Sequence, residues 1–113
     1  MVAKRKISIN RQEKLDKELK RIISKIIELD VEKIILFGST ATGEIHQLSD
    51  IDLIIIKKTN ARFLARLNEF YSHLKPRVSI DILVYTPEEF LELSNTSNFI
   101  QDAIKKGKIV YER

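Results

Sequence analysis

From Leu53 to Ile56 the chain is apolar at every position, and Ile51 extends the apolar set by one alternate place. Side chains on a strand alternate between faces, so a strand over 51–57 is hydrophobic on both sides. Such a strand has to be covered twice, which requires helices on both faces of a sheet. Two more short β-branched runs, "KIILF" at 33–37 and "VSIDILVY" at 78–85, supply its neighbours, and "KIVYE" near the end supplies a fourth strand.

The segments between these runs read as helices. Leu15, Leu19, Ile22, Ile26 and Leu29 recur at helical spacing, widened by Ile23 and Ile27. They predict a helix over 11–29, opened by Asn10 and by Glu13 three residues later. Asn60 is placed to cap a second helix over 61–74, with Phe63, Leu64, Leu67, Phe70 and Leu74 inward and Pro76 beyond its end. In "TPEEF", Thr86 is an N-cap, Pro87 a first helical residue and Glu89 the closing member of a capping box. That helix is expected to end near Leu93, and another to run from Phe99 to Lys106 before Gly107. The whole predicts a single α/β domain over 1–113, a small mixed sheet flanked by helices, with a short helix or loop at 39–49.

Composition narrows the chemistry. With no cysteine there are no disulfides and no thiolate ligands, leaving carboxylates and the two histidines. A net charge of +4 is compatible with nucleic acid, nucleotide or an acidic partner, and equally with a solvated basic surface. The longest apolar run cannot span a bilayer, and "MVAKRKISIN" lacks the apolar core of a signal peptide, so a cytoplasmic protein is expected.

The acidic residues are the costly feature. Asp50 and Asp52 lie two residues apart at the mouth of the central strand and so point the same way. Two such carboxylates repel and take up a proton unless a cation intervenes. Asp81 stands within "SIDILV", where a buried aspartate needs a partner. If the strand at 78–85 neighbours that at 51–57, Asp81 converges on Asp52 and Asp50, and three oxygen donors suit Mg²⁺ or Mn²⁺. Each also has a plainer reading: turn chemistry for Ser49-Asp50, an edge-strand charge for Asp52, an ion pair with Arg77 for Asp81. Gly38 and Ser39 follow the strand at 33–37, where a glycine lets backbone amides approach an anion and the Ser39 hydroxyl adds a donor.

The order "LFGS", "SDIDLIII" and "IDILVYTPEEF" resembles the DNA polymerase beta-like nucleotidyltransferase superfamily, and most closely its minimal nucleotidyltransferase (MNT) domain. MNT domains of this kind are often found as antitoxin partners of HEPN ribonuclease toxins. The resemblance implies that Gly38 and Ser39 hold the triphosphate of ATP, and that Asp50 and Asp52 coordinate two Mg²⁺ ions. It implies that Asp81 completes the metal site beside the attacking hydroxyl. The implied activity is transfer of AMP to a hydroxyl, a tyrosine of the HEPN toxin, within a heteromeric complex. Rival readings are a non-catalytic antitoxin that binds by occlusion and a small-molecule nucleotidyltransferase.

One departure stands out: the motif reads "GSTATG", with Thr40 and Thr42 where many members carry arginine. Lys57, Lys58 or a partner's arginine would have to supply that charge. The chain is too short for an added nucleic-acid grip, so direct nucleic-acid binding is not expected, and a partner or second copy would cover the nucleotide. His46 and His73 read as loop and helix-end bystanders, Tyr71, Tyr85 and Tyr111 as packing at the core edge, and Arg62 and Arg66 as a solvated face.

Overall fold

A computed structural model describes residues 2–38, 41 and 51–113, with side chains described from residue 12 onward. Helix α1 (Val2–Ile27) leads into strand β1 (Lys33–Phe37), and β2 (Ile51–Ile56) follows. Helix α2 (Phe63–Leu74) crosses to β3 (Ile80–Tyr85). Helices α3 (Pro87–Thr96) and α4 (Asn98–Lys106) then precede β4 (Lys108–Glu112). The sheet order is β3-β2-β1-β4. Strand β1 pairs antiparallel with β2 and β4, whereas β2 and β3 run parallel. A parallel pair needs a crossover, and α2 is that crossover. No helix among the described residues is long and apolar enough to cross a membrane.

The two apolar faces of β2 are both covered, as its pattern requires. On one side Ile51, Leu53 and Ile55 join Ile34 and Leu36 of β1 against Leu15, Ile22 and Ile26 of α1 and Phe70 and Leu74 of α2. On the other, Ile54 and Ile56 meet Ile35 of β1 and Ile100 and Ala103 of α4, with Phe90 and Leu93 of α3 at the margin.

Several helix details differ from expectation. Helix α1 does not start at Asn10 but runs through it from Val2, because residues 2–9 hold no Gly or Pro to break it and the local cap signal loses to continued helix. Helix α2 starts at Phe63 with Arg62, not Asn60, in the capping position. Its core face is Arg66, Phe70 and Leu74, while Leu64 is 73% exposed. Arg66 is therefore not on a solvated face: it is only 7% exposed. Its guanidinium donates to the carbonyls of Ala61 and Val84 at 2.8 and 3.1 Å and to both carboxylate oxygens of Glu89 at 2.7 and 3.2 Å. Burial of the charge is tolerated because every side of it finds an acceptor.

Glu89 also closes the expected capping box, accepting from the Thr86 amide at 2.8 Å while Thr86 accepts from the Glu89 amide. One carboxylate thus ties the start of α3 to α2 and β3. Helix α3 runs on to Thr96 rather than stopping near Leu93. A second carboxylate, this one buried, works similarly on the other face. Glu18 accepts both arms of Arg21 at 2.7 and 2.8 Å, and Arg21 caps α2 by donating to the carbonyls of Leu74 and Lys75. Tyr71 donates to the Ile80 carbonyl from the core edge, and His73 pairs with Glu28 near the end of α2.

Candidate active site

Register decides which carboxylates meet. Asp52 and Asp81 are each the second residue of their strand, and they are directly paired across the parallel β2–β3 ladder. Neighbouring strands lie about 4.8 Å apart, so the two side chains stand next to each other on one face. That face is the one on which Ile54 and Ile56 meet α4. The expected convergence of Asp52 with Asp81 is present. Asp50 and Ser39, like Thr40, Thr42 and His46, lie outside the described residues, and so does the loop at 39–49 apart from Ala41. Ala41 is buried in the core.

The third strand adds a constraint on the same spot. Phe37, the last residue of β1, is the register partner of Asp52. Gly38 follows with φ +76°, in the left-handed region that favours glycine. A Cβ built on Gly38 would lie 2.3 Å from Asp52 Oδ2 and 3.2 Å from its Cγ. The glycine is thus required twice, by its backbone angle and by the carboxylate pressed against it. The sequence expects Gly38 where a ligand approaches the backbone; the side chain that a Cβ there would meet first is that of Asp52.

Asp81 differs from expectation in its surroundings. It does not sit mid-strand in a buried position needing a partner; it is exposed, at the open end of β3. The reason is the strand order, which puts β3 at the edge of the sheet. None of the ion pairs among the described residues involves Asp81, so the Arg77 pairing does not form. Arg77 instead donates its backbone N–H to Glu18. A half-buried and an exposed carboxylate, side by side and backed by a glycine, form an oxygen-donor site open to solvent. That is the chemistry a hard divalent cation takes.

The lysines proposed to replace the missing basic residues are at the other end of the sheet. At about 3.3 Å per residue, Lys57 is roughly 16 Å from Asp52. Its ammonium donates to the Leu29 carbonyl, and Lys58 lies 3.5 Å from Glu32. Neither can neutralise a phosphate held at the carboxylates. A groove of about 570 Å³ opens at that far end, beside Lys33, Ile56, Pro87 and Phe90, and holds neither Asp52 nor Asp81.

One neighbour of the site was not singled out from sequence. Phe99, in the first turn of α4, is 56% exposed and meets Phe37 edge to face, with ring centroids 5.7 Å apart and planes at 88°. An aromatic at the outer side of a helix start was the only signal for it.

Comparison with known proteins agrees with this fold. The family described as "Polymerase beta, Nucleotidyltransferase" matches residues 17–113. A protein of Methanocaldococcus jannaschii, provisionally named a protein adenylyltransferase, is 31% identical over 100 residues, spanning 88% of this chain and 98% of that one. A crystal structure from Sulfolobus solfataricus, provisionally named a nucleotidyltransferase, superposes with a TM-score of 0.66 at 23% identity, over 93% of this chain and 86% of that one. A chain in a toxin–antitoxin crystal structure with AMP-PNP superposes with a TM-score of 0.50 at 24% identity, over 90% and 73% of the two chains. These two structural likenesses establish the fold. The family match extends from within α1 to the last residue, across β1, Gly38, Asp52 and Asp81, and the chain belongs to the polymerase beta nucleotidyltransferase family.

Proposed function

We propose that this chain transfers AMP from ATP to a hydroxyl of a partner protein, as an antitoxin acting on a tyrosine of a HEPN-type toxin. The observation that carries the reading is the in-register pair Asp52–Asp81 with Gly38 packed against it. The provisional name of the M. jannaschii relative, over nearly its full length, supports protein as the acceptor. The toxin–antitoxin neighbour with AMP-PNP supports a toxin as the partner and an adenine nucleotide as the substrate, and the HEPN class rests on the sequence resemblance.

Asp52 and Asp81 fit a divalent cation, and Asp50, two residues before Asp52, would be the third ligand. Mg²⁺ or Mn²⁺ bound there neutralises phosphate charge and lowers the pKa of a nearby hydroxyl. Gly38 leaves Asp52 room to keep its orientation, and Ser39 follows where a hydroxyl donates to a phosphate oxygen. Asp81 is the more exposed of the pair and stands on the edge strand, within reach of an incoming hydroxyl, and its carboxylate would take the acceptor's proton. The acceptor oxygen bonds to the α-phosphorus as the bond to pyrophosphate breaks, and pyrophosphate leaves with the electron pair.

A second reading, an antitoxin that acts by occlusion alone, is favoured by one observation: Lys57 and Lys58 are engaged far from the carboxylates. One experiment separates the two. The chain is incubated with α-labelled ATP, Mg²⁺ and its co-purified partner. Label on the partner that is lost with Asp52→Asn and with Asp81→Asn is expected. A stable complex that never acquires label overturns transfer and leaves occlusion.

A further inference from the structure

We propose that Phe99, braced by Phe37, is the platform on which the base of the bound purine nucleotide stacks. This rests on the nucleotide reading above and names the part of the chain that holds the base.

The starting point is an aromatic ring in an unusual position. Two other residues of α4, Ile100 and Ala103, are buried against the sheet, yet Phe99 keeps more than half its surface in water. It is nevertheless fixed in place. Its ring meets Phe37 at 88°, an edge-to-face geometry that aromatic pairs favour. In that geometry one ring's edge addresses the other's face. If Phe37 presents its edge, one face of Phe99 is left free of it; if Phe37 presents its face, both are. Either way Phe99 offers a planar apolar surface that its brace does not cover.

The brace also locates the platform. Phe37 is the register partner of Asp52 and immediately precedes Gly38. By strand alternation it shares the face on which Asp52 and Asp81 stand, and it packs with the apolar layer of that face. Paired residues across an antiparallel ladder are about 5 Å apart. With 5.7 Å more between ring centroids, Phe99 stands on the order of 10 Å from Asp52. A nucleotide whose phosphates are held at Gly38 and the carboxylates extends its base across such a distance through the ribose. Stacking needs only a π-face, so this contact secures a base without a hydrogen-bond reader. Base–aromatic stacking of this kind is worth about 5- to 150-fold in affinity.

The chain has no tryptophan, which makes the test direct. Phe99→Trp introduces a sole indole, and both it and the wild-type chain are titrated with ATP and with inorganic tripolyphosphate in Mg²⁺. ATP is expected to quench the indole emission, and tripolyphosphate to bind without quenching it. By calorimetry, Phe99→Leu is expected to weaken ATP at least fivefold and leave tripolyphosphate unchanged, and Phe99→Tyr to restore ATP affinity. If Phe99→Leu binds ATP as tightly as wild type, or weakens both ligands alike, stacking is refuted while the phosphate site stands. If the wild-type chain binds neither ligand, the nucleotide reading itself falls and this inference falls with it.

Discussion

Replacing Gly38 by alanine tests the carboxylate site without touching a carboxylate. The left-handed backbone angle of +76° costs a residue with a Cβ about 1–2 kcal/mol. The new methyl would lie 2.3 Å from Asp52 Oδ2, about 1 Å inside ordinary contact, so the carboxylate has to rotate away. Driving a side chain off its rotamer costs about 0.5–1.5 kcal/mol. Loss of unfolded-chain freedom returns about 0.4–1 kcal/mol. The net expectation is a loss of about 1–2.5 kcal/mol, or a fall in Tm of about 4–10 °C by thermal denaturation. The second half of the test uses Asp52→Ala, which removes the atoms the methyl meets. In a double-mutant cycle the Gly38→Ala penalty is expected to shrink by about 0.5–1.5 kcal/mol on that background, leaving only the backbone strain. Strict additivity would refute the contact between Gly38 and Asp52. Gly38→Ala as stable as wild type would refute the left-handed turn as well.

Two further outcomes follow from the ion pairs. Hydrogen bonding to Arg21 holds the Glu18 carboxyl below the usual glutamate range, and bonding to Arg66 does the same for Glu89. A carboxyl with a lowered folded pKa is stabilising above its unfolded pKa, about 4.3, and that stability is lost as pH falls through the folded value. Denaturant titrations from pH 6 to pH 2 should therefore show stability falling from about pH 4.3 downward, with a shallower fall in Glu18→Gln; an unchanged slope would refute the assignment. Lys58→Ala, remote from the carboxylates, should leave ATP binding by calorimetry unchanged, and a tenfold loss would place phosphate at the other end of the sheet.

What the sequence made legible was whatever depends on period. The alternation in "IDLIII" demanded cover on both faces, and α1 with α2, and α3 with α4, provide it. The same alternation set the face of Asp52, and the capping box of Thr86 and Glu89 could be read from three-residue spacing alone. Spatial order was not legible. That β3 is an edge strand is written nowhere in its own residues, so Asp81 was expected in a buried setting and stands in water. Arg66 looked like one more cation on a helix because Glu89, which makes its burial tolerable, comes from a separate element. A hydrophobic stripe can tell which way a helix faces, but not which charge will be waiting there.

The site follows the same division. Two short strands each carry an aspartate in second place, a local fact visible in "SDIDL" and "SIDIL". Only the parallel register, set by α2 crossing over to bring β3 alongside β2, makes them a pair. Only the antiparallel partner β1 brings Gly38 against one of them. A one-residue slip of β3 would turn Asp81 to the opposite face, among Phe70, Leu74 and the rest of the larger core, where a carboxylate is costly. The apolar residues Ile80, Ile82 and Val84, packed into that core, therefore hold the acidic pair together as surely as any contact within it. The core sets the register, and the register makes the site.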